Sequence, residues 1–343
     1  MTPGRRRRYG GKLALAAVIV LIALWCAYWY AASRVAEVGI DRVVAAFSAG
    51  GRQLTCSDAG MNGFPLTLDL HCTGGKLAAA ENGISAGLDG LTVSALLYQP
   101  GHVEASLAAP FVLDAPHLGV ALTASWAGAA LRVDAGLDGL QGAAGTLDGF
   151  TLDQTGDSPR LPFRHVVAKH AFLTTGAASS EDYRVDAAAT GIVIERIDGT
   201  SLPPLSVDLG LLAEKFGTAI GTDPRKTLAA WAAKGGALHV EHLTLIAGPT
   251  SVQASGTLNL ASSGLFSGTL TLRTVGINQL PALAETLAPG SGDKVAQLVG
   301  AMSAFMKPVP GAPDGTREMM LLVQNGVVFA GMLPLGAIPP LKL

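Results

Sequence analysis

From Leu13 to Ala32 the chain runs for 20 residues without a charged side chain. As a helix that run spans about 30 Å, the thickness of a bilayer core. A helix satisfies its own backbone groups, so it can cross lipid without orphaned donors or acceptors. Everything after residue 32 must therefore fold on the far side of a membrane. Arg5 to Arg8 and Lys12 precede the run, and the first acid after it is Glu37. The positive charges place residues 1–12 in the cytoplasm and residues 33–343 in the periplasm, behind a single-pass inner-membrane signal-anchor. Trp25, Tyr28, Trp29 and Tyr30 crowd the outer end of the run, where amphipathic rings favour the headgroup level. The alternative is a cleaved signal with small residues at Ala31, Ala32 and Ser33, although its apolar region would be long and end in bulky aromatics. The Arg-Arg pairs also permit a twin-arginine signal, a pattern that poly-Arg before any anchor shares.

Residues 33–50 read as an amphipathic helix. Ile40, Val43, Val44 and Phe47 form one stripe, which predicts docking on the domain that follows, and Gly50-Gly51 ends it. From Phe64 the period changes to two. Phe64, Leu66, Leu68, Leu70 and Cys72 share one face, and similar alternation recurs around residues 91–95, 131–135, 183–187, 205–211, 238–245, 252–260, 269–275, 319–323 and 327–332. One apolar and one polar face is the pattern of strands lying on a shared interior. With 43 glycines and only 6% aromatic residues, many strands and tight turns fit better than a helical bundle.

Asp89-Gly90, Asp138-Gly139, Asp148-Gly149, Asp198-Gly199 and Asn325-Gly326 are pairs of the hairpin-turn kind. The hexapeptide Ala86–Leu91 recurs unchanged at Ala135–Leu140, which hints at a repeated hairpin. Three helical insertions are expected to cap sheet edges: Asp223-Pro224 to Lys234, Ile277 to Leu287, and Asp293 to Met306. The apolar, proline-broken tail from Met332 to Leu343 is expected to pack on the domain. The resulting fold class is mainly β, a curved, hairpin-rich antiparallel sheet with a few capping helices. Its periplasmic domain covers residues 51–343.

Cys26 lies in the apolar run and acts as a small hydrophobe. Cys56 and Cys72 fall in the compartment that the topology makes oxidising, which favours a disulfide over two free buried thiols. Gly83-Ile-Ser85-Ala-Gly87 spells a hydrolase elbow, but a strand follows where that motif needs a helix, so Ser85 reads as a loop serine. Strict alternation puts His239 and Glu241 on one face and His242 on the other, and His165 and His170 read as solvent-face residues; no zinc set results. Gly290 to Lys294 lacks the spacing of a phosphate loop, and Asp293 reads as an N-cap. The residues thus supply no catalytic, metal or cofactor site. A net charge of -2 excludes a broad electrostatic case for nucleic acid.

The block Cys56…Gly63-Phe64-Pro65-Leu66…Cys72, behind a signal-anchor and a short helix, resembles the envelope family called domain of unknown function 2125. Gly256-Thr-Leu-Asn-Leu, Gly268-Thr-Leu-Thr-Leu and the tail from Asn325 are also similar to AsmA-like proteins, whose grooves hold lipid. No catalytic residue comes with either resemblance. The second implies a lipid or other apolar ligand in a β-groove or open barrel, beside a bilayer engaged through residues 13–32. The alternative partner is an envelope protein, bound by the sheet edge or the apolar tail of a non-enzymatic scaffold.

Overall fold

The computed structural model describes residues 7–48, 52–79, 83–136, 139–156, 161–219, 224–287 and 290–341. The expected membrane segment and amphipathic helix are one uninterrupted helix, α1 (Arg7–Ser48). Its window from Leu15 to Gly39 is long and apolar enough to cross a membrane. Of the predicted stripe, Val44 is half-buried; the side chains of Ile40, Val43 and Phe47, and Gly50-Gly51, lie outside the described residues.

All strands belong to one sheet. β1 (Arg52–Thr55) and β2 (Asp58–Asn62) share an edge position against β3 (Thr67–Ala79), broken at Cys56. β3 is followed by β4 (Ile84–Leu96) and β5 (Gln99–Ala115). β6 (Val120–Ser125) and β7 (Gly128–Gly136) share the next position, between β5 and β8 (Gly139–Gln154). The order continues through β9 (Phe163–Ala177), β10 (Tyr183–Arg196), β11 (Leu205–Glu214), β12 (Ala237–Ala247), β13 (Thr250–Leu260) and β14 (Phe266–Val275). After β14, the short β15 (Lys307–Pro308) and β17 (Val327–Ala330) flank the far side of β16 (Arg317–Gln324), and β18 (Leu333–Ala337) is last. Every pairing is antiparallel, and among the described residues none joins β18 back to β1 or β2. The sheet is an open meander.

Its register carries the alternation across the whole molecule. One row of directly paired residues runs Met61, Leu70, Val93, Ala105, Leu131, Gly145, Leu173, Ala187, Leu209, Leu243, Ala254, Leu272, Met319. No polar side chain interrupts it. At about 4.8 Å between strands the row extends roughly 55 Å along the sheet. The adjacent row, on the opposite face, runs Asp69, Ser94, Glu104, Arg132, Ala144, Thr174, Asp186, Gly210, His242.

Helices α2 (Pro224–Ala233), α3 (Leu280–Leu287) and α4 (Gly292–Ser303) lie on the apolar face rather than over a sheet edge. Ile277, Val299, Met302 and Met306 pack with Met319 and Ala330 against Leu272 and Leu321. Trp231 and Ala232 of α2 pack with Leu260, Leu238 and Phe266, and with Leu341 of the tail. The tail also bonds back through Ile338 N–H to Gly326 O and Leu341 N–H to Gly264 O. By contrast, no described residue between Ala124 and Tyr183 is fully buried.

The turn expectations need correction. Asp89-Gly90 and Asp148-Gly149 lie inside β4 and β8, where Gly149 takes φ 59°. Asn325-Gly326 does form the β16–β17 hairpin, with positive φ at both residues. Asp198-Gly199 turns between β10 and β11, while Asp138, Asp223 and Pro289 lie outside the described residues. The identical hexapeptides are not a repeated unit. Ala86–Leu91 is mid-strand, whereas Gly136 pairs with Gly139 across a chain reversal. The first long strand begins at Thr67, three residues after Phe64, because Gly63-Phe64-Pro65-Leu66 is itself a turn.

Candidate functional site

The Cys…Gly-Phe-Pro…Cys block forms the dock for α1. Gly63 has φ 98°, and a Cβ there would lie 2.8 Å from the Thr67 carbonyl, so only glycine makes this turn without strain. The Gly63 carbonyl accepts from the N–H groups of Leu66 and Thr67 and from the Thr67 hydroxyl. The aromatic residues of α1 then grip the turn. Trp25 Nε1–H donates to the Pro65 carbonyl at 2.7 Å, Trp29 Nε1–H to the Thr67 carbonyl at 2.9 Å, and the Tyr28 hydroxyl to the Leu97 carbonyl at 3.2 Å. Trp29 meets the Phe64 ring edge-on at 5.5 Å. Cys56 and Cys72 are joined by a disulfide that ties the broken edge strand to β3, with Cα atoms 5.5 Å apart.

Beyond the dock, α1 continues over the apolar face and leaves a cleft of about 700 Å³. Ala36, Gly39 and Val44 form its helical wall; Leu54, Leu70, Leu77, Leu88, Leu91 and Phe111 form its floor. The disulfide closes one side. The small residues Ala36 and Gly39 leave space on the helical side, and a Cβ on Gly39 would meet nothing within 4 Å. The volume falls within the roughly 300–1,000 Å³ of small-molecule sites, and its lining is apolar as such sites require. Leu70 belongs to the uninterrupted apolar row, so the cleft opens onto the stretch of face where Leu131 and Leu173 are 44% and 50% exposed.

The polar face is a ladder of cross-strand pairs. His102 Nδ1 lies 2.5 Å from Asp134, His165 2.6 Å from Asp153 and His170 2.6 Å from Asp148. Arg132 pairs with Glu104, Arg184 with Glu241, and Arg273 with Glu318. The Asp134 carboxylate raises the His102 pKa above its ordinary value. Arg132, and then His102, lower that of Glu104, and Arg184 lowers that of Glu241. A depression lies over Thr92, Glu104, Arg132 and Thr146, with the Glu104–Arg132 pair forming part of its lining.

His242 departs from the alternation argument. A register shift between Val240 and Leu243 sets it opposite Gly210, and its ring contacts Asp208 at 3.2 Å. His239, opposite Leu212, reaches Glu214 and Thr257 on the same face. The two histidines thus share a face, each with its own carboxylate. No group of three His, Cys, Asp or Glu residues among the described residues is placed to hold a metal. Ser85 sits within β4, opposite Ala78 and Asp114, instead of in a loop, and no helix opens after it. The start of α4 holds an internal anion. Glu285 accepts from the N–H groups of Gly290 and Gly292 at 2.9 and 2.8 Å, which lowers its pKa, and no side-chain cap comes from Asp293.

Sequence reasoning missed the docking role of Trp25, Tyr28 and Trp29, which headgroup preference alone explained, and the small-residue wall at Ala36 and Gly39. The i, i+3 spacing of those two small residues was the available signal. Comparison with curated proteins and with solved structures finds no match. A family model described as an uncharacterized protein conserved in bacteria, DUF2125, matches residues 29–339, from Trp29 of the dock to the tail. By that match the chain belongs to the DUF2125 family.

Proposed function

We propose that this protein is a non-enzymatic, membrane-anchored holder of lipid, which takes an acyl chain beneath α1 and accommodates it along the apolar face of the sheet. The observation that carries this reading is the unbroken apolar row from Met61 to Met319, which starts near α1 and, among the described residues, has no helical cover over β5–β10. A soluble strand face normally meets water or a core, and a bare apolar stretch of this length marks a binding surface. The dock supports retention of α1 as an anchor, because Trp25, Tyr28 and Trp29 are built into the fold on the near side of Ala31–Ser33. In that arrangement residues 1–12 are cytoplasmic and the sheet is periplasmic.

The test is native mass spectrometry of the full chain released from detergent, beside Gly39→Leu. The wild-type chain is expected to carry phospholipid-sized mass at fixed stoichiometry. Gly39→Leu, which fills the cleft from the helix side, is expected to lose it while remaining folded. A wild-type chain that emerges bare and takes nothing from a lipid extract overturns the reading.

A scaffold role has one observation in its favour: Met332 is 96% exposed beside the terminal strand β18, an edge on which a partner strand could pair.

A further inference from the structure

The turn that receives α1 sits too low on the helix to clear the bilayer. Leu13 is the first residue after Lys12, and a hydrocarbon core of about 30 Å accommodates roughly 20 helical residues from there. Trp25 and Trp29 then stand about 18 and 24 Å up the helix from Leu13, inside the outer boundary of that core. Both are hydrogen-bonded to the Pro65–Thr67 backbone, so the turn lies at the same depth. We propose that the tip formed by Phe64, Pro65, Leu66 and Tyr98 inserts into the outer leaflet around α1, making the bilayer itself the partner of this end of the sheet.

Two independent observations fit that occupant. The first is the side chains: Phe64, Leu66 and Tyr98 are 57%, 55% and 63% exposed, a cluster of large apolar and aromatic groups at one strand end. Tyr98 brings the amphipathic ring typical of the interface. The second is the backbone. Irregular chain enters lipid only where its polar groups are satisfied by protein. Here the carbonyls of Pro65, Thr67 and Leu97 accept from Trp25, Trp29 and Tyr28, that of Leu66 accepts from Leu97 N–H, and that of Gly63 accepts from Leu66 and Thr67. An aqueous turn would leave such groups to water. Asn62, Asp69 and Gln99 flank the tip and set the limit of insertion. The arrangement places the cleft, walled by Ala36, Gly39 and Val44, a few helical turns above the tip.

The inference rests on α1 remaining attached, and the intact mass of the purified chain reports that separately. In a Cys26→Ala background, single cysteines replace Leu66, Tyr98 or Leu118 and carry an environment-sensitive fluorophore. Leu118 follows β5, whose 17 residues separate it from Tyr98 by roughly 50 Å. The full chain is reconstituted in phosphatidylcholine–phosphatidylglycerol vesicles containing lipids spin-labelled at defined acyl positions. Labels at 66 and 98 are expected to shift blue and to lose intensity to acyl-chain quenchers, while the label at 118 keeps its intensity. Because the Tyr98 side chain is exposed and makes none of the dock's hydrogen bonds named above, its variant reads insertion even if Leu66→Cys disturbs the turn. A 98 label as little quenched as that at 118, on a chain of full mass, overturns the proposal.

Discussion

Leu131 and Met319 occupy one register row on one face of one sheet, yet Met319 is sealed beneath α4 while Leu131 stands 44% exposed. At the C-terminal end, the apolar face is a conventional two-layer core. Over β5–β10 the same pattern continues with no second layer among the described residues, and at the N-terminal end the apolar helix α1 lies across it with space left beneath. Alternation in a strand therefore specifies which face is apolar, and only the insertions between strands decide whether that face becomes core. Residues 277–306 make the difference here.

The largest test of this contrast truncates the two residues of the shared row. Met319→Ala should cost about 2–5 kcal/mol, as deletion from a sealed core does, and Leu131→Ala about 1 kcal/mol or less. Urea unfolding in mild detergent reads both; equal costs would mean that the bare stretch is packed as tightly as the covered one. The disulfide comes next. It holds an edge over which α1 leaves an open cleft, so Cys56→Ser/Cys72→Ser should lose about 3 kcal/mol, the chain-entropy value for a loop of this length. Protease cleavage should then begin within residues 52–62 and leave the C-terminal end intact. Cleavage appearing first in α3 or α4 would show that the two ends are not separable.

The smallest effects are electrostatic, and they run in opposite directions. Glu285 has a lowered pKa in the folded chain, so its contribution to the α3–α4 corner is present above the ordinary carboxylate range. It is lost as pH falls through the folded value. His102 has a raised pKa, so its pairing with Asp134 is fully present below the ordinary histidine value and lost as pH rises through the folded one. Hydrogen exchange corrected for intrinsic rates should show Gly290 and Gly292 loosening toward acid, and β5–β7 loosening as pH rises from 6 toward 8, where histidine titrates. Glu285→Gln should loosen the corner at neutral pH as well. If both ends loosen toward acid, the His102 assignment fails.

Strands β3, β4, β7, β10 to β14, β16 and β17 and the helical insertions were legible because each obeys a local period, whereas β5, β6, β8 and β9, which make up much of the bare face, went unread. The turns were less legible. Ala86–Leu91 and Ala135–Leu140 are the same six residues, but the first is flanked by alternating chain that β3 and β5 pair along its length, which overrides its turn preference. His242 was misassigned because a local register shift changes which face follows, and no sequence period marks it. Glu285 takes the place expected of Asp293 because a carboxylate from the preceding helix reaches the amides first. The dock was hidden for a different reason. A tryptophan that seeks a headgroup and one that seeks a carbonyl have the same chemistry in the sequence.

The meander also dictates an order of assembly. Most strands pair with a neighbour in the chain, and the longest gap, between β14 and β16, is spanned by α3 and α4, so few long loops must close before contacts are gained. Sheets built from distant pairings fold slowly because that closure comes first. Here the docked turn after β2 supplies a fixed starting edge beside α1, and growth can proceed strand by strand away from it. The edge docked on α1 thus acts as the template, and the last-made strands, β16 to β18, are the ones that complete the closed core.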